Sequence, residues 1–543
     1  MNYLEIAKAW IAQDPDTETQ AELDSLVQNQ DLSELESRFS TRLQFGTAGL
    51  RGELGAGPNR MNRVVVGWAA LGLAQFLTKN KPDYVDPNGD LSVVIGYDGR
   101  KNSAVFARDT AEILAGQGIK AKLFDQMVPT PVAAFTGRAM RSSATVVVTA
   151  SHNPPKDNGY KVYLGGKNGS SQLISPQDFE ISQLIDTISS SIDFEEIPKS
   201  DAISMLGDSE ISAYEKRALE LVAEDTGARS ELGITYTAMH GVGYKVIDPI
   251  FQKAGFKLAA VLEQRDPDGT FPTVAFPNPE EPGAMDLAFE HAERQSSDLI
   301  IANDPDADRL AVGIRSDGGY RMLTGDEVGL ILGEVIARKT TSGALANSIV
   351  SAGLAQVAKK HNLDFKTTLT GFKWISKVPN LVFGYEEALG YCVDPSRTPD
   401  KDGITAALLI ADLASKLKSE NKNLGDFLAE LAGDYGHLAT GQVSIRVSDL
   451  SIISKIMEGL RQDPVTEILG ESCQFEDLSA GKNLPPTDGV LISSSKLRVI
   501  IRPSGTEPKL KCYLQVKADT KQESLEGLEQ LKNWAKGLLQ DLS

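Results

Sequence analysis

Cysteine is scarce: Cys392, Cys473 and Cys512 are the only three in 543 residues, and each is isolated. Cysteines so few and scattered make neither a disulfide framework nor a cysteine-rich zinc site, so a reducing, cytoplasmic setting is expected. Basic charge is also short, with 55 Lys and Arg against 74 Asp and Glu and a formal net charge of −19. The outward field repels nucleic acid and anionic membranes, so neither is expected as a partner, and any anionic ligand needs a local basic pocket. Long apolar runs are missing too. The longest, Val64 to Ala74, stops at Gln75 and soon meets Lys79, well short of the ~20 residues that span a bilayer. The start, Met1-Asn2-Tyr3-Leu4-Glu5, lacks a basic segment followed by an apolar one, so no secretory leader is expected.

What is present is an ordinary folded composition: 41% hydrophobic and 24% charged residues exclude disorder, collagen and coiled coil. At roughly 100 to 200 residues per domain the chain has room for about three to five domains. Residues 91 to 125 read as a strand from Leu91 to Tyr97, a glycine turn, a helix ending near Gly116 or Gly118, and a strand from Lys120 to Phe124. The same order recurs at 233 to 263 and, more weakly, from Asn347 to Leu369, without enough similarity to call the copies repeats. Three βαβ patterns predict three α/β domains with loops at strand carboxyl ends. The end of the chain differs. Lys496 to Ile501 and Leu510 to Val516 read as a hairpin, and Leu525, Leu528, Leu531, Trp534 and Leu538 as the core stripe of a closing helix. The expected organisation is α/β domains over residues 1–200, 201–315 and 316–437, then an α+β domain over 438–543.

Four segments carry residues suited to chemistry. In the first, Thr149-Ala150-Ser151-His152-Asn153-Pro154-Pro155 follows the apolar strand Ala144 to Val148 and precedes Asn158-Gly159-Tyr160-Lys161. Two readings stand: an ordinary surface turn, and a hydroxyl held rigidly at the rim of a sheet. A serine hydrolase does not fit, because there is no G-x-S-x-G elbow and His152 is adjacent in sequence. In the second, Asp304-Pro305-Asp306-Ala307-Asp308-Arg309 alternates carboxylates that an extended loop turns to one side, a donor set suited to Mg²⁺. An EF-hand is excluded, since Arg309 stands where Gly belongs and Arg315 where Glu belongs. A solvated acidic turn stays open. In the third, Glu386 and Glu387 sit inside Gly384-Tyr385-Glu386-Glu387-Ala388-Leu389-Gly390, suited to sugar hydroxyls or simply to a helix-start turn. In the fourth, Arg502-Pro503-Ser504-Gly505-Thr506-Glu507-Pro508-Lys509 is either a phosphate nest or a plain hairpin loop. Arg51, in Phe45-Gly46-Thr47-Ala48-Gly49-Leu50-Arg51-Gly52, and Lys373, in Gly371-Phe372-Lys373-Trp374, are glycine-flanked cations. With Lys161, Arg309, Arg502 and Lys509 they are candidates for the local positive field a phosphorylated ligand requires.

Taken in order, the four segments resemble the phosphoserine, metal, sugar and phosphate loops of the α-D-phosphohexomutase superfamily, over residues from about 45 to the end. The resemblance implies three related α/β domains plus a C-terminal domain around a central active-site cleft. It implies that Ser151 carries a transferred phosphoryl group, with Lys161 as general acid/base and His152, Arg51 and Arg309 completing the catalytic set. Asp304, Asp306 and Asp308, with Ser151, match the Mg²⁺ ligands. Lys373 and Glu386 match sugar-binding residues, and Arg502, Ser504, Gly505, Thr506 and Lys509 the loop that holds the unreacting phosphate. The Thr47 to Gly52 segment looks like the long phosphoglucomutase and phosphopentomutase branch. The implied reaction interconverts glucose 1-phosphate and glucose 6-phosphate through glucose 1,6-bisphosphate, with pentose or mannose phosphates as the close alternatives and a noncatalytic phosphosugar sensor as the different class. A small phosphosugar is then the partner, and a monomer or small homo-oligomer is expected. Two departures stand out: Ala388 replaces a Ser common in related phosphoglucomutases, and Pro305 a Gly common in the metal loop.

Overall fold

The apolar run near residue 64 becomes the helix Arg63–Lys79, whose cap Asn62 accepts a hydrogen bond from Val65 N at 2.9 Å. Thirteen of its seventeen residues are buried, as expected for a helix that is apolar all round and lies inside a core. Gly72 allows this: a Cβ there would stand 2.6 Å from the Ile185 side chain, so only glycine lets the helix Gln177–Ser189 press so close. Among the described residues no helix is long and apolar enough to cross a membrane.

The computed structural model describes residues 2–46, 49–223, 228–316, 318–447, 449–503 and 509–542. The chain divides into two units, Met1–Met322 with Gly390–Ser419, and Leu323–Leu389 with Glu420–Ser543. In the first unit, strands Ala144–Val148, Ser92–Tyr97, Lys120–Phe124 and Ser204–Leu206 run parallel, as the βαβ pattern predicts. Asp157–Leu164 and then Leu50–Glu53 add antiparallel strands on the side of Ala144–Val148. A second sheet has Leu299–Asn303 parallel to Ile234–Thr237, itself parallel to Leu258–Ala260, with Leu310–Ser316 and Gly319–Met322 antiparallel on the other side. The helix Gly403–Ser419 packs on this second sheet. Its Asp412 takes a buried ion pair from Arg229 at 2.6 Å.

In the second unit the strands Asp364–Thr368, Ala344–Ser348 and Leu381–Glu386 are parallel. A five-stranded antiparallel sheet follows, in the order His437–Arg446, Lys509–Ala518, Leu497–Pro503, Val490–Ser493, Gln474–Asp477. The closing helix Lys521–Leu542 lies against it, which makes the last domain α+β. One expectation fails there: Leu525 is 50% exposed. The buried stripe is Ser524, Leu528, Leu531, Ala535 and Leu539, a helical spacing that leaves Leu525 one position off the core face.

Candidate active site

Ser151 sits directly after a fully buried strand, Ala144–Val148, where the chain turns sharply. Its amide donates to Thr149 Oγ1 at 2.8 Å, and Asn153 N donates to the Ala150 carbonyl at 3.1 Å. Ser151 itself adopts φ +52°, a left-handed conformation that costs a non-glycine residue about 1–3 kcal/mol and so has to be held by its surroundings. Those surroundings aim the side chain. Ser151 Oγ donates to Asp304 Oδ2 at 2.7 Å, and His152 Nδ1 lies 3.2 Å from the same Oγ. Burial, with Arg309 and Arg51 nearby, pushes the His152 imidazolium well below its ordinary pKa, so the ring is neutral at pH 7. Arg51 is brought in by the pairing of its strand with Asp157–Leu164, and its Nη1 donates to Asn153 Oδ1 at 3.1 Å.

The acidic segment follows the buried strand Leu299–Asn303 in the same unit. Asp304, Asp306 and Asp308 are all 0% exposed, and one carboxylate oxygen from each lies within 4.8 Å of the others. A solvated acidic turn is thereby excluded. Lys161 Nζ reaches Asp306 Oδ2 at 2.7 Å and Asp308 Oδ2 at 2.8 Å, while Lys401 Nζ reaches Asp308 Oδ2 at 2.6 Å. Arg309 Nε stands 3.9 Å from both Asp304 and Asp308. Burial disfavours charge on Asp308, but Lys161, Lys401 and Arg309 outweigh it and hold the carboxyl well below the usual range. Asp306 moves the other way, raised by burial and by the negative charge of Asp308 beyond what Lys161 offsets. Burial works against the Lys161 ammonium as well, yet Asp306 and Asp308 keep it charged.

Three buried carboxylates on one point are compatible with a hard divalent cation, which takes oxygen ligands. Two details of this chain fit that cation. Asp306 Oδ1 and Asp308 Oδ1 are buried without a hydrogen-bond partner among the described residues, and burial, with Asp308 close by, disfavours the charged form of Asp306, a cost that a cation would offset.

The second unit gathers the remaining expected residues. Glu386 ends the strand Leu381–Glu386, and its Oε1 accepts from Gly371 N, which fixes the turn that carries Lys373. Arg502 Nη1 donates to Thr370 Oγ1 in that same turn. Lys509 opens the strand paired with that of Arg502. Ser504, Gly505 and Thr506 lie outside the described residues. The neighbouring carboxylate differs: Glu387 Oε2 accepts from Ser351 Oγ at 2.9 Å and its N donates to the same oxygen at 2.9 Å, a contact that holds the loop.

Two site residues escape the sequence reading. Thr130 donates to Asp306 Oδ2 at 2.5 Å from Oγ1, and its amide donates to the Asp306 carbonyl at 2.9 Å. Lys401 has a signal in hindsight, the charged run Asp400-Lys401-Asp402-Gly403 ahead of an apolar helix. Both flanking carboxylates are tied down: Asp400 Oδ2 accepts from Tyr163 Oη at 2.7 Å and Asp402 Oδ1 from Tyr214 Oη at 2.8 Å.

Burial pushes Asp402 up from 3.8 to about 6, against the hydrogen bond from Thr405 N. Its folded state holds the proton more tightly than the unfolded chain does, so stability is intact below about pH 3.8 and is lost as pH rises through about 6. Asp402→Asn keeps an acceptor for Tyr214 and removes the charge, for a gain of up to ~3 kcal/mol at pH 7.5. Thermal midpoints at pH 7.5 and pH 5 check this: the gain shrinks at pH 5, and a gain independent of pH would contradict the account.

Models of the phosphoglucomutase/phosphomannomutase family match four consecutive segments: α/β/α domain I at residues 42–191, II at 213–318, III at 324–435, and the C-terminal domain at 460–526. That set of domains defines the class, the phosphohexomutases, enzymes that move a phosphoryl group within a phosphosugar. The chain belongs to the phosphoglucomutase/phosphomannomutase family of the α-D-phosphohexomutase superfamily. It is 48% identical to a Haemophilus influenzae protein named "Probable phosphomannomutase", over 84% of this chain and 93% of that one. It is 33% identical to the phosphoribomutase of Saccharomyces cerevisiae, over 95% and 93%, and 33% identical to a phosphoglucomutase of Staphylococcus epidermidis, over 90% and 94%. The solved structure of parafusin from Paramecium, a phosphoglucomutase in its open form, shares the fold at TM-score 0.70 and 17% identity, over 92% of this chain and 96% of that one.

Proposed function

We propose that this chain is a phosphoglucomutase that carries the transferred phosphoryl group on Ser151. The observation behind this reading is the 2.7 Å contact from Ser151 Oγ to Asp304 inside a wholly buried aspartate triad. In the forward half-reaction the bond from phosphorus to Ser151 Oγ breaks, and a new one forms to a sugar hydroxyl oxygen. Glucose 1,6-bisphosphate results, and its other phosphoryl group returns to Ser151. Lys161, kept charged by two carboxylates, is assigned to give a proton to the leaving Oγ and to regain one from the sugar hydroxyl that attacks. Arg51 and Arg309 set a positive field at the loop, while His152, neutral, offers a hydrogen bond to Oγ. Mg²⁺ held by Asp304, Asp306 and Asp308 would spread the charge of the group in flight. Glu386 and Lys373 are assigned to the sugar, and Arg502, Ser504, Gly505, Thr506 and Lys509 to the phosphate that does not react.

Glucose 1-phosphate and glucose 6-phosphate are the assigned substrate pair; the Thr47 to Gly52 segment supports the long branch over a mannose enzyme but is shared with the pentose enzymes. A pentose reading is favoured by Ala388, which offers no hydroxyl to a sugar, and by the name of the yeast relative. The name of the Haemophilus relative favours mannose. Values of kcat/KM for glucose, mannose and ribose 1-phosphates decide, because a site built around a substrate hydroxyl rejects an analogue lacking it by roughly 10⁴-fold or more. Glucose is expected to lead, and a tenfold preference for either other sugar overturns the assignment.

A further inference from the structure

Arg100 follows the strand Ser92–Tyr97 in the run Asp98-Gly99-Arg100. Its side chain is turned inward, and the residue is 4% exposed. Nη2 donates to the Ser151 carbonyl at 2.6 Å and the Asn153 carbonyl at 2.5 Å, and Nη1 to the Pro154 carbonyl at 2.8 Å and the Asp157 carbonyl at 3.0 Å. Four backbone acceptors of one turn thus converge on a single planar cation. Charge-assisted bonds of this kind are about twice as strong as neutral ones, and a flat guanidinium serves several at fixed angles where an ammonium does not.

The guanidinium is itself held on its other sides. Nε lies 3.6 Å from Asp98 Oδ2, and Asp98 Oδ1 accepts from Ser103 Oγ at 2.7 Å and from the Arg100 amide at 3.0 Å. The Phe271 ring lies 4.9 Å from the guanidinium carbon. Behind it the backbone is crowded: a Cβ on Gly269 would stand 2.8 Å from the Gly99 carbonyl and 3.0 Å from Arg100 Cα. None of these partners is a reacting group. All of them fix where the guanidinium sits, and the guanidinium fixes the turn.

We infer that Arg100 is a positioning residue: it holds the backbone of residues 151–157 so that Ser151 keeps its left-handed conformation and its Oγ faces the aspartate triad. This rests on the reading of Ser151 as phosphoryl carrier, and it adds the element that keeps the carrier in register. A displacement of about 1 Å at a reacting atom costs roughly 10²-fold in rate, which sets the expected effect.

The test uses the full chain with Arg100→Ala, Arg100→Lys and, in parallel, Ser151→Ala. The rate at which Ser151 gains phosphate from glucose 1,6-bisphosphate with Mg²⁺ is expected to fall about 100-fold in Arg100→Ala, with bisphosphate affinity little changed. Added guanidinium is expected to restore part of that rate, and Arg100→Lys to recover less than a tenth of it. Amide hydrogen exchange at Ser151, Asn153 and Asp157 should quicken in Arg100→Ala relative to amides elsewhere in the same sheet. A folded Arg100→Ala that gains phosphate at the wild-type rate overturns the inference, as does exchange at those three amides that does not change. If wild-type Ser151 never gains phosphate, the proposed function fails while the exchange measurement still decides for or against the clamp.

Discussion

Ser151→Ala is expected to lower turnover by ~10⁴-fold or more, the scale seen when a nucleophile is removed from a group-transfer site. The reason is specific to the oxygen. Ser151 Oγ is the atom that faces Asp304 at 2.7 Å with the His152 ring beside it, and alanine leaves no atom there to carry a phosphoryl group. The fold should persist. Alanine meets the same left-handed φ of +52° that serine already bears, and the loss of one buried hydrogen bond costs about 1 kcal/mol. Ser151→Gly separates conformation from chemistry, since glycine adopts positive φ without penalty yet also lacks the oxygen. Both variants should bind substrate, resist phosphorylation and stay inactive in a coupled assay. Turnover in either at a tenth of the wild-type rate would refute the mechanism.

Stripping divalent cations is expected to reduce activity by roughly 10³-fold, with recovery on adding Mg²⁺, because a cation on the phosphoryl oxygens supplies several kcal/mol of charge stabilisation. The same cation should stabilise the fold. At a hundred times its Kd it contributes about 2.7 kcal/mol, which is read as a rise in thermal midpoint with added Mg²⁺. The triad members should then differ. Asp306, with its raised pKa and an unpartnered Oδ1, is the carboxylate whose charge most needs the cation, so Asp306→Asn should lose the Mg²⁺-dependent rise at little basal cost. Asp308 pairs with both Lys161 and Lys401, so Asp308→Ala leaves two buried ammonium groups short of an anion and should cost about 3–5 kcal/mol even without metal. Full activity after chelation, with no metal detected in the protein, would defeat this account.

The parts legible in the sequence share one property: they are local. The βαβ order at 91 to 125 follows from apolar runs and glycines and reappears as Ser92–Tyr97, Ser103–Gly116 and Lys120–Phe124. The terminal hairpin and its covering helix follow the same way, while Leu525 shows where local reading stops: one residue of phase separates core from solvent. Glu386 and Glu387 are adjacent and alike on paper. Only folding sends Glu387 to Ser351 and Glu386 to Gly371.

By itself the sequence determined the residue types and their order: a serine at a strand end, three alternating aspartates and a set of glycine-flanked cations in a chain of net charge −19. Their order carries the resemblance to the α-D-phosphohexomutase superfamily, and that resemblance points to phosphoryl chemistry on a multidomain α/β scaffold. The tertiary structure decided what faces what. Ser151 meets a carboxylate 153 positions away, Lys401 pairs with Asp308 across 93 positions, and Arg100 grips a turn more than fifty positions further along the chain. The charged run around Lys401 marks a polar turn without naming its partner, and nothing around Arg100 points to the turn it holds. Their chemistry comes from burial and convergence, in which distant strands bring polar groups out of water and onto one another, and neither is a property of a local stretch of chain.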